Sequence, residues 1–319
     1  MRVVRGTDDD ARAAVHTDGA VVTIGAYDGV HLGHQAVLRL VRELADARGL
    51  DAALVTFDRH PAEVVRPESA PRLLTTLEQR LELLDATGDL ELCWVLAFDE
   101  ARSKESAEDF VREVLVDGVG ARLVVVGADF HFGHRRGGNV PLLERMGAEL
   151  GFEVLGLGLV AVEGDPTAIP YTSTRIRELL AKGDVAEAAR LLGRPHEVRG
   201  VVERGDQRGA EHLGVPTANL RVPERICLPA DGVYAGSFVA EDEIERTTAI
   251  SVGTRPTFYE DGDVLVEAHV LDFEGDLYGQ QVKVRFREWI RGQERFESTE
   301  ALVEQMDADI QATRRISAR

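Results

Sequence analysis

Lysine is close to missing from this chain of 319 residues: it occurs only at Lys104, Lys182 and Lys283, so the positive charge is almost all arginine. Against 37 lysines and arginines stand 56 aspartates and glutamates, a formal net charge of −19. Such a surface repels nucleic acid and anionic membranes, and no basic stripe offsets it. A phosphate ligand remains compatible with it, at a locally positive site. Genome base composition and a salt-adapted host both account for the bias, and one sequence does not separate them. Cysteine is scarce as well. Cys93 and Cys227 lie far apart and form no CxxC pair, so they read as reduced core thiols. No apolar run approaches the roughly 20 residues of a membrane span. The opening MRVVRGTDDD turns acidic at once and lacks the apolar core of a secretory signal. These absences point to a cytoplasmic protein with neither a membrane nor a nucleic-acid partner.

What is present is an ordinary globular balance, 44% hydrophobic and 29% charged, at a length that fits two domains. In the first half, strand-like runs at 20–25, 52–57, 92–98, 122–127 and 153–160 alternate with helical patterns at 33–48, 75–87, 106–118 and 139–150. Over 75–87, Leu77, Leu81 and Leu84 recur at helical spacing while Glu78, Arg80 and Glu82 fill the other face. This alternation predicts a parallel sheet covered on both faces. Helices at 173–182 and 184–192 then end at Gly193-Arg194-Pro195. Beyond them come short β-rich segments at 197–204, 232–240, 246–253, 264–271 and 281–290, punctuated by Gly, Pro and Asp. They predict a small antiparallel barrel. A last helix has Ser298 as N-cap and Leu302, Met306 and Ile310 along one face. The division is placed at 1–190 and 191–319.

Two segments carry chemistry. The apolar run Val21–Ile24 leads into GAYDGVHLGHQ (25–35), with a helix starting near Gly33. Both histidines thus sit at a strand–helix switch, where free N–H groups and the helix dipole favour anions. Three residues apart on a first turn, the two imidazoles can point to one side. Phosphate contact is the favoured reading. A metal site, with Asp28, His60 or His131 as third ligand, and a purely structural loop are the alternatives. TFDRHP (56–61), VGADFHFGHRRGGN (126–139) and YTSTRIREL (171–179) also follow strands. The last offers Ser173, Thr174, Arg175 and Arg177 as a polyphosphate clamp, or Ser173 as a plain N-cap. In the second half, GVVERGDQRGAEHLG (200–214) is a strand feeding a glycine-rich loop suited to phosphates. Thr217 and Asn219, in GVPTANLRVP, supply two oxygens compatible with Mg²⁺ beside a nucleotide. Taken alone, Pro216 to Asn219 reads as a common loop.

The segments HLGH (31–34) and TSTRIR (172–177) resemble the two signatures of the HxGH nucleotidyltransferase superfamily. With TFDRHP and VGADFHFG, they are similar to the FMN adenylyltransferase module of bacterial bifunctional riboflavin kinase/FAD synthetases. GVPTANLRVP, ADGVYAG (230–236), SVGTRPTF (251–258), VEAHVLDFEGDLYG (266–279) and VRFREWIR (284–291) resemble the kinase half. The resemblance covers about residues 20–316. It implies a Rossmann-like α/β nucleotidyltransferase domain with a parallel sheet, followed by a riboflavin kinase-like antiparallel barrel with a terminal helix. The implied chemistry is phosphorylation of riboflavin to FMN, then adenylylation of FMN to FAD with release of pyrophosphate. ATP is the co-substrate of both steps and Mg²⁺ the cofactor. The implied catalytic residues are His31, His34, Arg177 and Glu267, with Glu267 as the kinase base. Nucleotide would meet Gly25, Asp28, Gly33, Ser173, Thr174, Gly205, Gly209, Thr217 and Asn219. Metal would meet Thr217 and Asn219, and flavin Phe57, His60 and Asp129. Departures are Tyr27 for the usual phenylalanine and a kinase loop one residue longer, with Ala210 for arginine and Val215 for phenylalanine. Two rival readings are a monofunctional adenylyltransferase and a flavin-binding regulator without turnover. The oligomeric state is not readable.

Overall fold

The computed structural model describes residues 1–158, 171–203, 217–254 and 264–318. The chain divides into two compact units, Met1–Thr172 and Ser173–Arg319.

The first unit runs β1 (Arg2–Arg5), α1 (Asp9–Val15), β2 (Ala20–Ile24), α2 (Leu32–Asp46), β3 (Asp51–Phe57), α3 (Ala62–Val65), α4 (Leu77–Thr87) and β4 (Leu92–Leu96). It continues with α5 (Glu100–Ser103), α6 (Ala107–Phe110), β5 (Ala121–Gly127), β6 (His131–Phe132), β7 (Gly138–Asn139), α7 (Val140–Leu150) and β8 (Glu153–Leu157). The predicted helix over 106–118 is α6 continued as a π-helical stretch, Val111–Val116. Six strands form one sheet in the order β1-β4-β3-β2-β5-β8, with every ladder parallel.

The period of two along the strands sorts side chains onto two faces. Val21, Ala52 and Leu54 pack with Leu38 and Val41 of α2 and Leu81 and Leu84 of α4. Val22, Ile24, Ala53 and Val55 pack with Val15, Phe110, Val114, Leu143 and Met146 on the other side. Both faces are therefore buried, which explains near-continuous apolar strands such as Ala20–Ile24, buried at every position. Cys93 and Cys227 are free and buried, as expected, and burial pushes the Cys93 thiol up to about 12.

The second unit begins with α8 (Ser173–Leu180) and α9 (Val185–Leu192). Six strands follow: β9 (His196–Glu203), β10 (Ala218–Arg221), β11 (Gly232–Val239), β12 (Glu245–Thr254), β13 (Val264–Val270) and β14 (Gln281–Arg291). The chain then enters α10 (Thr299–Ser317). The strands close an antiparallel barrel in the order β10-β13-β12-β11-β14-β9. Helices α8 and α9 group with the barrel. They bury Ile176, Leu180, Val185 and Leu192, and the Ala230 amide donates to the Leu180 carbonyl at 2.8 Å. Strand β10 is the one barrel strand the sequence pattern missed. Asn219 belongs to it, not to a loop, because both its neighbours Ala218 and Leu220 point into the core.

Candidate functional sites

The first site is built on the chain after β2. Strand β2 leads to β3 on one side and its other neighbour, β5, leads to β8 on the opposite side, so the connections from these two adjacent strands run in opposite directions. That is the switch point at which an α/β sheet opens a crevice at the carboxyl ends of its strands. The GAYDGVHLGHQ loop follows β2, TFDRHP follows β3 and VGADFHFG follows β5, so the topology brings these three predicted segments to one edge.

His31 is the N-cap of α2, and its Nδ1 accepts the His34 amide at 3.2 Å. With Nδ1 accepting, the ring proton is on Nε2, which makes that atom a donor. The His31 and His34 rings stack at 3.6 Å, and Tyr27 lies 4.6 Å from the His34 ring. Two imidazoles are thus held side by side on the first turn of a 15-residue helix. Gly33 leaves no room for a side chain: a Cβ there would lie 2.9 Å from Tyr171 Cβ and 3.2 Å from the His31 ring. The close approach observed at Gly33 is thus to protein neighbours. A Cβ on Gly25 would meet the Tyr27 ring at 3.1 Å.

The loop is strained. Tyr27 and Val30 hold φ of 49° and 39°, and Gly29 holds 85°. Non-glycine residues in this region cost about 1–3 kcal/mol each and persist only when the surroundings impose them. Asp28 is one such restraint. It is buried, and its carboxylate accepts the amides of Leu74 and Thr75 and the Thr75 hydroxyl at 3.0–3.2 Å. Thr75 Oγ1 in turn accepts the Gly29 amide at 3.2 Å. Tyr27 is buried with its hydroxyl 2.9 Å from that of Thr23, and burial pushes the phenol well above its ordinary range.

Arg80 overturns its sequence reading. The helical period puts it on the polar face of α4, yet it is only 5% exposed. Its Nη1 donates to the Ala26 carbonyl at 2.7 Å and its Nη2 to the Phe57 carbonyl. Burial lowers its pKa, and the neighbouring Asp28 carboxylate opposes that shift. The helical period missed it because a long cationic side chain on the flank of an amphipathic helix can reach inward to carbonyls at strand ends.

The remaining first-site residues fall as follows. Phe57 ends β3 and meets Phe98 edge-on at 5.1 Å. His60 Nδ1 accepts the Ala62 amide at 3.1 Å at the start of α3. Asp129 is exposed in the turn after β5, and its carbonyl lies 2.7 Å from His131 Nδ1. Among the described residues, no group of three or more His, Cys, Asp or Glu side chains gathers to hold a metal. Ser173, Thr174 and Arg177 occupy the first turns of α8 in the second unit, with Ser173 its first residue.

The second site lies on the outside of the barrel. Directly paired residues in antiparallel strands share a face. The register pairs Glu203 with Asn219, Asn219 with Glu267 and Glu267 with Ser251, so these four form one row across β9, β10, β13 and β12. Their neighbours Val202, Ala218, Val266, Ala268, Ile250 and Val252 fill the barrel interior. Glu267 therefore faces outward, which strand alternation alone left open. Gln293 Nε2 donates to Ser251 Oγ at 3.0 Å and to the Val252 carbonyl at 2.9 Å. Asn219 Oδ1 is buried and accepts no hydrogen bond among the described residues, which leaves it lone pairs to offer. Thr217, half-buried, directly precedes β10. His269, on the same outward face as Glu267, lines a cavity of about 460 Å³ with Asp272, Phe273 and Glu274. Glu203, Ser251 and Gln293 went unread in the sequence, because only the register aligns them. Gly205, Gly209 and the altered 209–215 loop lie outside the described residues.

Comparison with known proteins agrees with this two-part construction. The FAD synthetase family model matches residues 14–169, and the riboflavin kinase family model matches residues 192–317. A bifunctional riboflavin kinase/FMN adenylyltransferase of Pseudomonas fluorescens is 40% identical over 94% of this chain and 94% of its own length. The chain belongs to the bifunctional riboflavin kinase/FMN adenylyltransferase family. The counterpart in Escherichia coli K12 is 34% identical over 97% of this chain and 96% of its own. A solved structure titled as a macrolide-efflux protein from Streptococcus pneumoniae has a TM-score of 0.84 at 28% identity, covering 98% of both chains. Among the described residues of the present family member, no helix is long and apolar enough to cross a membrane.

Proposed function

We propose that the barrel transfers the γ-phosphate of ATP to riboflavin and that the α/β sheet site then joins AMP from a second ATP to the FMN formed. The observation that carries the second half is the position of the stacked His31–His34 pair: a helix N-terminus at the sheet's switch point. In adenylyl transfer the FMN phosphate oxygen attacks the α-phosphorus of ATP while the bond to the β-phosphate breaks and pyrophosphate leaves. Charge builds on the α-phosphate and the leaving group, and pre-organised donors are what that transition state needs. His31 Nε2–H, His34 and the helix amides supply them. The family resemblance assigns Ser173, Thr174 and Arg177 to the ATP phosphates, so in this reading the activities divide at 190/191 although α8 and α9 pack on the barrel. Phe57, His60 and Asp129 lie on the flavin side.

In the kinase, the riboflavin 5′-hydroxyl attacks the γ-phosphorus, the bond to ADP breaks, and the hydroxyl proton passes to Glu267. Phosphoryl transfer is otherwise positioning and charge neutralisation. The buried Oδ1 of Asn219, without a hydrogen-bond partner among the described residues, and the Thr217 hydroxyl two positions earlier are oxygens of the kind that would hold a hard cation. Mg²⁺ bound by Thr217 and Asn219 would supply neutralising charge for the transferring phosphates. The residues of this chain align the γ-phosphate, the hydroxyl and the base. ATP is consumed twice, and riboflavin, FMN and FAD are the successive flavins.

Incubating the purified protein with riboflavin, ATP and Mg²⁺ tests the reading directly. FMN should appear first and FAD after it, with one pyrophosphate per FAD. FMN without FAD, even when FMN is supplied, would refute the assignment to the α/β unit. No FMN from riboflavin would leave a monofunctional adenylyltransferase.

A further inference from the structure

The segment Leu74–Arg80, LTTLEQR, lies between β3 and β4 and contributes no residue to the roles proposed above. It nonetheless makes a dense set of contacts with the underside of the first site. The Leu74 and Thr75 amides and the Thr75 hydroxyl hold the Asp28 carboxylate. The same hydroxyl oxygen takes the Gly29 amide. Thr76 and Gln79 close a reciprocal capping box, which fixes the start of α4. One turn on, Arg80 bridges the carbonyls of Ala26, just past the end of β2, and of Phe57, the last residue of the adjacent β3, where the nucleotide-side and flavin-side loops depart. Packing alone would be served by an apolar side chain at position 80, because burying a cation is costly unless its donors are engaged. Tying two strand-end carbonyls at once takes a planar, multi-donor group.

We infer that Thr75 and Arg80 are positioning residues for adenylyl transfer: they hold the strained 26–30 loop and the 57–61 loop at one fixed separation, so that the His31–His34 pair and the flavin side face the same reacting phosphate. The inference rests on the assignment of FAD formation to this loop. Both residues are buried beneath these loops. Their effect is on the alignment of the loops assigned to the substrates, where misplacement by about 1 Å can cost on the order of 10²-fold in rate.

The test is steady-state kinetics of the full-length protein with FMN and ATP, well below each variant's unfolding midpoint. Riboflavin phosphorylation by the same sample is the internal control. Thr75→Val keeps the shape and removes the hydroxyl; Arg80→Met keeps much of the length and removes the donors. Each should lower kcat for FAD formation by about tenfold or more, with phosphorylation within twofold of wild type. Thr75→Ser should restore most of the rate. Arg80→Lys, which keeps the charge but cannot span both carbonyls, should restore only part. A merely structural role would lower the melting temperature without moving kcat at the assay temperature. Should Arg80→Met fail to fold, the Thr75→Val and Thr75→Ser pair decides. FAD-forming kcat within twofold of wild type in Thr75→Val, while His31→Ala abolishes it, overturns the inference alone. FAD formation unchanged in His31→Ala overturns the underlying assignment.

Discussion

A methyl group at position 33 would sit 2.9 Å from Tyr171 Cβ, closer than real side chains come, and 3.2 Å from the imidazole of His31, a tight contact. Gly33→Ala must therefore push the His31 ring out of its stack on His34 or displace Tyr171. Such a shift at the reacting phosphate should cost FAD formation about 10²-fold, while riboflavin phosphorylation stays near wild type; separate assays on one sample read both. Glu267→Gln should do the opposite. Glutamine keeps the size but cannot take the hydroxyl proton, and loss of a general base costs about 10²–10⁴ in rate. FAD synthesis from supplied FMN should persist. Kinase activity within about threefold of wild type would make Glu267 a solvated strand carboxylate. The histidine motif was legible because its spacing on a helix start is local. The loop-holding contacts of Arg80 and Asp28 were not, because their partners lie tens of residues away in sequence.

At the scale of elements, two ion pairs show how the barrel holds its strands and helix. Glu197 of β9 stands opposite Arg285 of β14 and accepts from Arg285 at 2.8 Å and Arg199 at 2.9 Å. Burial raises the Glu197 carboxyl, but the two guanidinium bonds outweigh it, and the net pKa lies below the ordinary carboxylate value of 4.5. Between the two values the unfolded chain binds more protons, so the stability due to this group is complete above pH 4.5 and is lost as pH falls through the folded value. In thermal melts against pH, wild type should exceed Glu197→Gln at neutral pH and converge on it in acid; a constant gap down to the lowest pH would refute the linkage. Helix α10 carries the predicted Ser298 cap, with the Ala301 amide donating to Ser298 Oγ at 3.2 Å. Leu302, Met306 and Ile310 are only half-buried, however, and the seam centres on Asp309. Its carboxylate takes Arg291 of β14 at 2.8 and 3.0 Å. Asp309→Ala leaves the half-buried Arg291 guanidinium without its carboxylate and should cost about 1–3 kcal/mol, read by denaturant unfolding.

For the whole molecule, the compact unit that contains the barrel starts at Ser173, upstream of the kinase family match at 192. Removing α8 and α9 would uncover apolar surface under Ile176, Leu180, Val185 and Leu192. A fragment 173–319 should therefore melt cooperatively and phosphorylate riboflavin without making FAD. A fragment 195–319 should melt at lower temperature or aggregate. Equal melting temperatures for the two would show that the helices add nothing to the barrel. The low lysine content and the charge of −19 act at this scale too, since they set how the surface meets other polyanions and leave the fold unaffected.

Local pattern was enough for the class of each half, most of the long strands along the chain, and the identity of the motif residues. Periodicity and turn chemistry are written in neighbouring residues, and apolar alternation suffices to bury a sheet on both faces. Only the tertiary structure decided that Asn219 lies in a strand and that Glu267 faces outward beside it and Ser251. Only it decided that Arg80 is buried between two strand ends. Each of these depends on register or crossover. Register and crossover are set by how distant segments pack, and no local window of the chain contains that information.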